Sequence, residues 1–233
     1  MTQVWRKLLF AHWPVPAEAL RPILPAGLAL DTYDGQAWLG VVPFQMDHVR
    51  FRGLPGIPTA TRFAELNVRT YVTVEDKPGV LFFSLDAGSL LAVLGARAIF
   101  ALPYYHARFT IATEGAAVQY RCERLGTGKP RAIFEARYQP TGPVQLARPG
   151  SLEDWLTARY CLYTRRGSRL MRGEIHHALW PLQPATADIS QNTIAEPAGI
   201  HLPAAPPLLY YSERLEVVVW PLRALRDKAQ TRP

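Results

Sequence analysis

The stretch GVLFFSLDAGSLLAVLGARAIFALPYY, Gly79 to Tyr105, is the most informative in this chain. Gly79 to Asp86 is an apolar run that reads as a strand, and Ser89 to Phe100 is an apolar run that reads as a helix. Leu102-Pro103-Tyr104-Tyr105 is the exit from that helix. In an extended segment successive side chains point to opposite faces. Only one of Tyr104 and Tyr105 can therefore look inward.

Upstream of this stretch, Phe63 to Val74 is the best strand, rich in β-formers and bounded by turn residues. The turn Asp76-Lys77-Pro78-Gly79 joins it to a strand from Val80 to Leu85, which predicts a hairpin. Ala37 to Phe44 is another strand candidate, with Pro43 near its end. Val15 to Arg21 reads as a short helix stopped near Pro22 and Pro25-Ala26-Gly27. Arg50 to Pro58 is a Gly/Pro-rich loop, long enough for a rim or lid. Downstream, His106 to Ala112, Ala117 to Arg124 and Ala132 to Tyr138 are short strand candidates, with Gly126-Thr127-Gly128-Lys129-Pro130 as one turn. Ser151 is an N-cap candidate for a helix that opens at Leu152, and Asp154 complements its positive end. Leu170 to His177 and Leu215 to Trp220 are late strands, whereas the Pro/Ala-rich region Pro181 to Pro207 reads as irregular. The pattern predicts one α+β domain over residues 1–233, an antiparallel sheet curled into a barrel with a few flanking helices.

The bulk numbers agree with that reading. A chain of 233 residues fits a single β-rich domain. Its 21 prolines disfavour long central helices, and a charged fraction of 19% argues against disorder. The net charge of +7 comes mainly from scattered arginines. The densest pairs are Arg50/Arg52 and Arg165/Arg166, with no Lys/Arg block, so nucleic acid is not an expected partner. No window reaches 18 uninterrupted apolar residues, so no membrane span is expected. Cys122 and Cys161 lack metal spacing, and no signal peptide is read, so a cytoplasmic protein with reduced thiols is expected. His176 and His177 are adjacent and would point apart on a strand, which gives no metal site. There is no P-loop, no GxGxxG and no GxSxG elbow around Ser84 and Asp86, so no cofactor is implied.

The strand Phe63 to Val74 carries the polar constellation. Alternation puts Glu65, Asn67, Arg69 and Tyr71 on one face and Leu66, Val68, Thr70 and Val72 on the other. The polar row is either the solvent side of a half-buried strand or the lining of a barrel lumen. In the second case Glu65 and Arg69 could hold a polar ligand.

The segments Leu85-Asp86-Ala87, Gly95-Ala96-Arg97 and Pro103-Tyr104-Tyr105 resemble, in that order, the catalytic stretch of acetoacetate decarboxylase. In that family two adjacent lysines follow the proline, and the first forms an imine with the keto substrate. Here both are tyrosines. Phe63-Ala64-Glu65 is similar to the family pattern of a pocket acid two residues after an aromatic. Arg6, Leu8 to Phe10, Ala19-Leu20-Arg21 and Pro25 follow the family's N-terminal order. The resemblance spans Trp5 to Phe109. It implies a substrate-carboxylate role for Arg6, a pocket-acid role for Glu65 and a place near the family's helix arginine for Arg97. A closer likeness is to the uncharacterised bacterial YqjF-like family, through Leu24-Pro25-Ala26-Gly27-Leu28, Pro43-Phe44 with Arg50 to Pro55, Glu65 to Tyr71, Leu102 to Tyr105 and Arg159 to Tyr163. That family brings no assigned reaction.

An imine needs a primary amine, which a phenol cannot supply. None of the four lysines, Lys7, Lys77, Lys129 and Lys228, falls in the matching segment. The expectation is an internal pocket for a small oxygenated anion, a keto or carboxylic acid. Glu65 and Tyr104 are its catalytic candidates. Arg6, Arg69, Tyr105, Arg97 and His106 are its binding candidates, and His12 lies near its edge. Any chemistry would be lyase- or isomerase-like acid/base work on a carbonyl compound without a Schiff base. The rival is a non-catalytic ligand-binding or sensing module on the same scaffold. A homo-oligomer is left open.

Overall fold

In a computed structural model the chain is described over residues 1–50, 61–126 and 131–225. The expected Arg50–Pro58 rim, past Arg50, and the Thr127–Pro130 part of the expected turn lie outside the described residues. Among the described residues thirteen strands form one sheet: β1 (Thr2–Val15), β2 (Ala29–Leu30), β3 (Ala37–Arg50), β4 (Phe63–Val74), β5 (Lys77–Ala87), β6 (Tyr104–Glu114), β7 (Ala117–Arg124), β8 (Ile133–Pro140), β9 (Cys161–Arg166), β10 (Arg169–His177), β11 (Gln183–Asn192), β12 (Leu208–Val219) and β13 (Arg223–Ala224). The helices are α1 (Ala17–Leu20), α2 (Leu90–Phe100) and α3 (Leu152–Thr157). No helix among the described residues is long and apolar enough to cross a membrane.

The sheet curls until it meets itself. Pairings run from β1 through β3, β4, β5, β9, β10 and β12 and back to β1. A second course, β6–β7–β8–β11, leaves β5 and rejoins at β12. Strands β1, β3 and β4 are thus walls shared by two apolar cores. Leu9, Val41, Leu66 and Val68 point to one core, and Leu8, Phe10, Val42 and Phe44 to the other. A strand buried on both faces has no solvent side. This removes the solvent-exposed reading of the polar row on β4: Glu65, Asn67 and Arg69 are 2%, 4% and 7% exposed.

The β4–β5 hairpin turns at Glu75-Asp76, both with positive φ, so Lys77-Pro78-Gly79 already belongs to the ladder rather than to the turn. The stretch from β5 to β6 is a crossover. Ser89 caps α2 through its Oγ, which accepts from the Ala92 N–H at 3.3 Å. Ala101 ends the helix in the left-handed region, and β6 then pairs parallel with β5, Leu85 opposite Tyr104. Ser151 likewise caps α3. Two expectations are corrected. Val15 ends β1 and α1 is only four residues long, because the Pro16 ring disfavours helical backbone at Val15 before it. The Pro/Ala-rich region holds β11, which pairs along β8 and has Pro184 near its start, where a missing donor is tolerated.

Gly79 is where β5 passes closest to β9. A Cβ there would sit 2.7 Å from Cys161 Sγ and 2.8 Å from the Cys161 carbonyl oxygen. Gly79→Ala should therefore lower stability by about 1–3 kcal/mol in urea unfolding. An unchanged midpoint would contradict this packing.

Candidate ligand cavity

A cavity of about 190 Å³ opens inside the ring of strands, with α2 along one side. Trp5, Phe44, Met46, Phe63 and Phe82 supply much of its apolar wall. Its polar groups are Gln3, Glu65, Asn67, Arg69 and Tyr104. β4 positions three of these at alternate residues, so Phe63, Glu65, Asn67 and Arg69 form one row along the wall.

Glu65 is held from two sides. The Tyr104 hydroxyl donates to Glu65 Oε2 at 2.9 Å, and Tyr120 donates to the Glu65 carbonyl at 2.7 Å. Burial pushes the Glu65 carboxyl from its ordinary 4.5 up to about 8; the Tyr104 hydrogen bond opposes the rise and the Asp86 carboxylate adds to it. Glu65 thus carries its proton at neutral pH. Burial, with the Glu65 carboxyl beside it, pushes the Tyr104 phenol well above its usual range.

Arg69 is the charged side chain of the cavity's described lining. Its guanidinium lies 5.4 Å from the centre of the Phe10 ring and 5.8 Å from that of Tyr71, a cation–π clamp. No carboxylate among the described residues pairs with it, and its buried Nε has no hydrogen-bond partner. Behind it, His12 Nε2 and the Tyr71 hydroxyl are 2.6 Å apart. Burial, helped by Arg69, lowers the His12 pKa and keeps that ring neutral. Arg159 lies 4.9 Å from the Tyr71 ring and is paired with Asp31 at 2.6 Å. With Glu65 protonated and Arg69 unpaired, the cavity is positive at neutral pH. The Asn67 side-chain oxygen is a second buried atom without a partner.

Of the residues expected from sequence, Glu65, Arg69 and Tyr104 come together at this cavity, while Arg6, Arg97, Tyr105 and His106 do not line it. Trp5 faces inward, so its neighbour Arg6 faces away, with Nε 3.3 Å from Asp47. Tyr105 takes the face opposite Tyr104 and packs 4.0 Å from the Arg124 guanidinium, which clamps buried Asp86 at 2.7 and 2.8 Å. Arg97 reaches from α2 to the Tyr104 carbonyl at 2.7 Å and is exposed. His106 pairs across from Ala87, half-buried and outside the lining. His12 lies beneath Arg69 rather than at the cavity edge. Lys7 donates to Thr113 and Lys77 pairs with Glu174; Lys129 and Lys228 lie outside the described residues. Among the described residues no three His, Cys, Asp or Glu side chains gather as a metal cluster. Gln3 and Trp5 were missed by sequence reasoning, because the irregularity at Lys7 breaks the alternation of β1 before it reaches them.

The fold is of the acetoacetate decarboxylase-like kind. MppR, an enduracididine biosynthesis enzyme solved with pyruvate, superposes with a TM-score of 0.66 at 12% identity, covering 97% of this chain and 90% of that one. Acetoacetate decarboxylase from Legionella pneumophila gives 0.64 at 10% identity, covering 98% and 88%. At such identities the likeness concerns fold alone. The chain itself belongs to DUF2071, a family of uncharacterized conserved proteins, whose pattern matches residues 2–216. It is 48% identical to the uncharacterized protein YqjF of Bacillus subtilis over 223 residues, 96% of this chain and 91% of that one.

A carboxyl whose pKa is about 8 when folded and near 4.5 when unfolded binds more protons in the folded state between those values. The Glu65 contribution to stability therefore falls as pH rises from about 4.5 to about 8, by at most about 1.4 kcal/mol per pH unit. Urea unfolding across that window should show this fall as the difference between the native chain and Glu65→Gln, in which groups common to both, His12 among them, cancel. An identical slope in the variant would contradict a protonated Glu65.

Proposed function

We propose that the cavity binds a small oxygenated anion, a keto or carboxylic acid, through Arg69. The observation that carries this reading is the buried guanidinium, without a counter-ion among the described residues, beside a neutral carboxyl. A buried charge without a partner is costly, and an anionic ligand supplies the missing one. The guanidinium offers a carboxylate two parallel donors. Glu65 stands two alternate positions away on the same wall, with Tyr104 on its carboxyl. In an acid/base reaction on a carbonyl compound, Glu65 gives its proton to the oxygen that gains charge. The Tyr104 hydroxyl then donates to the carboxylate left behind. The Tyr104-Tyr105 pair in place of lysines supports chemistry without an imine.

A second reading keeps the ligand and drops the reaction. Glu65 and Tyr104 satisfy each other and most of the wall is apolar, which also suits a static receptor. Turnover of keto acids that Glu65→Gln abolishes, with binding retained, supports the enzyme; binding without product supports the receptor. In either case Arg69→Gln should weaken binding of pyruvate or butanoate at least thirtyfold by calorimetry, on the scale of about 2 kcal/mol or more for a lost charge-pair partner. Equal affinity would sink the anion reading. Borohydride reduction with pyruvate should leave no lysine adduct, and an adduct inside the ring of strands would overturn the imine-free chemistry.

A further inference from the structure

The two ends of the cavity differ in chemistry. Its enclosed end holds Arg69, Asn67 and Glu65, all nearly inaccessible. Its open side is α2. Leu91 and Ile99 line the cavity and are also 55% and 46% exposed. Leu90 and Leu94 extend this apolar surface outside at 51% and 53%. The one charged residue of α2, Arg97, is tied to the Tyr104 carbonyl. Exposed apolar residues grouped in this way call for an explanation.

The inner face of α2 adds a second observation. Ala92, Gly95 and Ala96, spaced to share one face, line the cavity. Gly95 lies in the helix interior, where glycine costs about 1 kcal/mol relative to alanine. Packing does not require it: a Cβ there would meet nothing within 4 Å. The space beside the helix backbone is therefore free. The cavity itself has room for roughly six water volumes at about 30 Å³ each, enough for a carboxylate and a short chain.

Resting on the anion reading of Arg69, we infer that the ligand is a monocarboxylate with an apolar tail, its head on Arg69 and its tail leaving past Gly95 and over Leu91 and Ile99. The arrangement is polar at the base and apolar to the rim, which matches an amphiphile entered head first.

The test is calorimetric titration of butanoate, hexanoate, octanoate and decanoate, each below its self-association concentration, with decylamine as the cationic control. Affinity should rise about fourfold per methylene through decanoate, as expected for apolar burial. Decylamine should not bind. Gly95→Leu fills the slot while raising helix propensity, and Gly95→Ala is a smaller step of the same kind. In Gly95→Leu, decanoate should lose at least about tenfold more affinity than butanoate, with Gly95→Ala in between. If affinity stops rising at hexanoate, or Gly95→Leu weakens every acid equally, the tail is wrong and the anion reading stands. If no acid binds, or all bind Arg69→Gln as well as the native chain, the anion reading fails and the tail with it.

Discussion

A guanidinium inside an apolar cavity, with no carboxylate among the described residues to answer it, is the constraint around which this site is built. Removing an ion from water costs several kcal/mol even after relaxation. Arg69 recovers part of that from the Phe10 and Tyr71 rings. A carboxylate within reach would have recovered more, and Glu65 is on the same wall. Glu65 instead takes a phenol hydrogen bond and keeps its proton. The two groups remain separate, so the cavity retains a positive charge and a proton at neutral pH.

That separation depends on the sheet. Because β1, β3 and β4 divide two cores, the apolar side chains along their central stretches go to one core or the other. The row on β4 cannot turn to solvent. On β6, alternation lets Tyr104 meet Glu65 while Tyr105 is clamped with Arg124 and Asp86 on the far face. The same two-sided burial holds the Tyr71–His12 pair behind Arg69, with neutral His12 adding no second charge.

Much of this was legible in the sequence. Phe63 to Val74 forms a strand with the expected bounds, and its polar row is the row that lines the cavity. The strand–helix–strand stretch ending at Tyr104 was legible because two apolar runs and a proline follow one another there. Arg6 was not legible. Lys7 has positive φ, and the β1–β3 register shifts between Arg6 and Ala11, so counting faces from Leu8 to Phe10 back to Arg6 fails by one. β11 was missed because its half-exposed, proline-bearing sequence has no apolar run; its pairing with β8 is a long-range fact. The free space at Gly95 was invisible for a related reason, since sequence gives a residue's size but not the distance to its neighbours.

The central claim is that an anion sits on Arg69 at the closed end of the cavity. A crystal structure of the protein soaked with octanoate tests it most directly. The account predicts a carboxylate within hydrogen-bond distance of the Arg69 guanidinium, with the chain running outward beside α2. A carboxylate held at the rim, or a chain buried tail first against Phe10 and Tyr71, would contradict it.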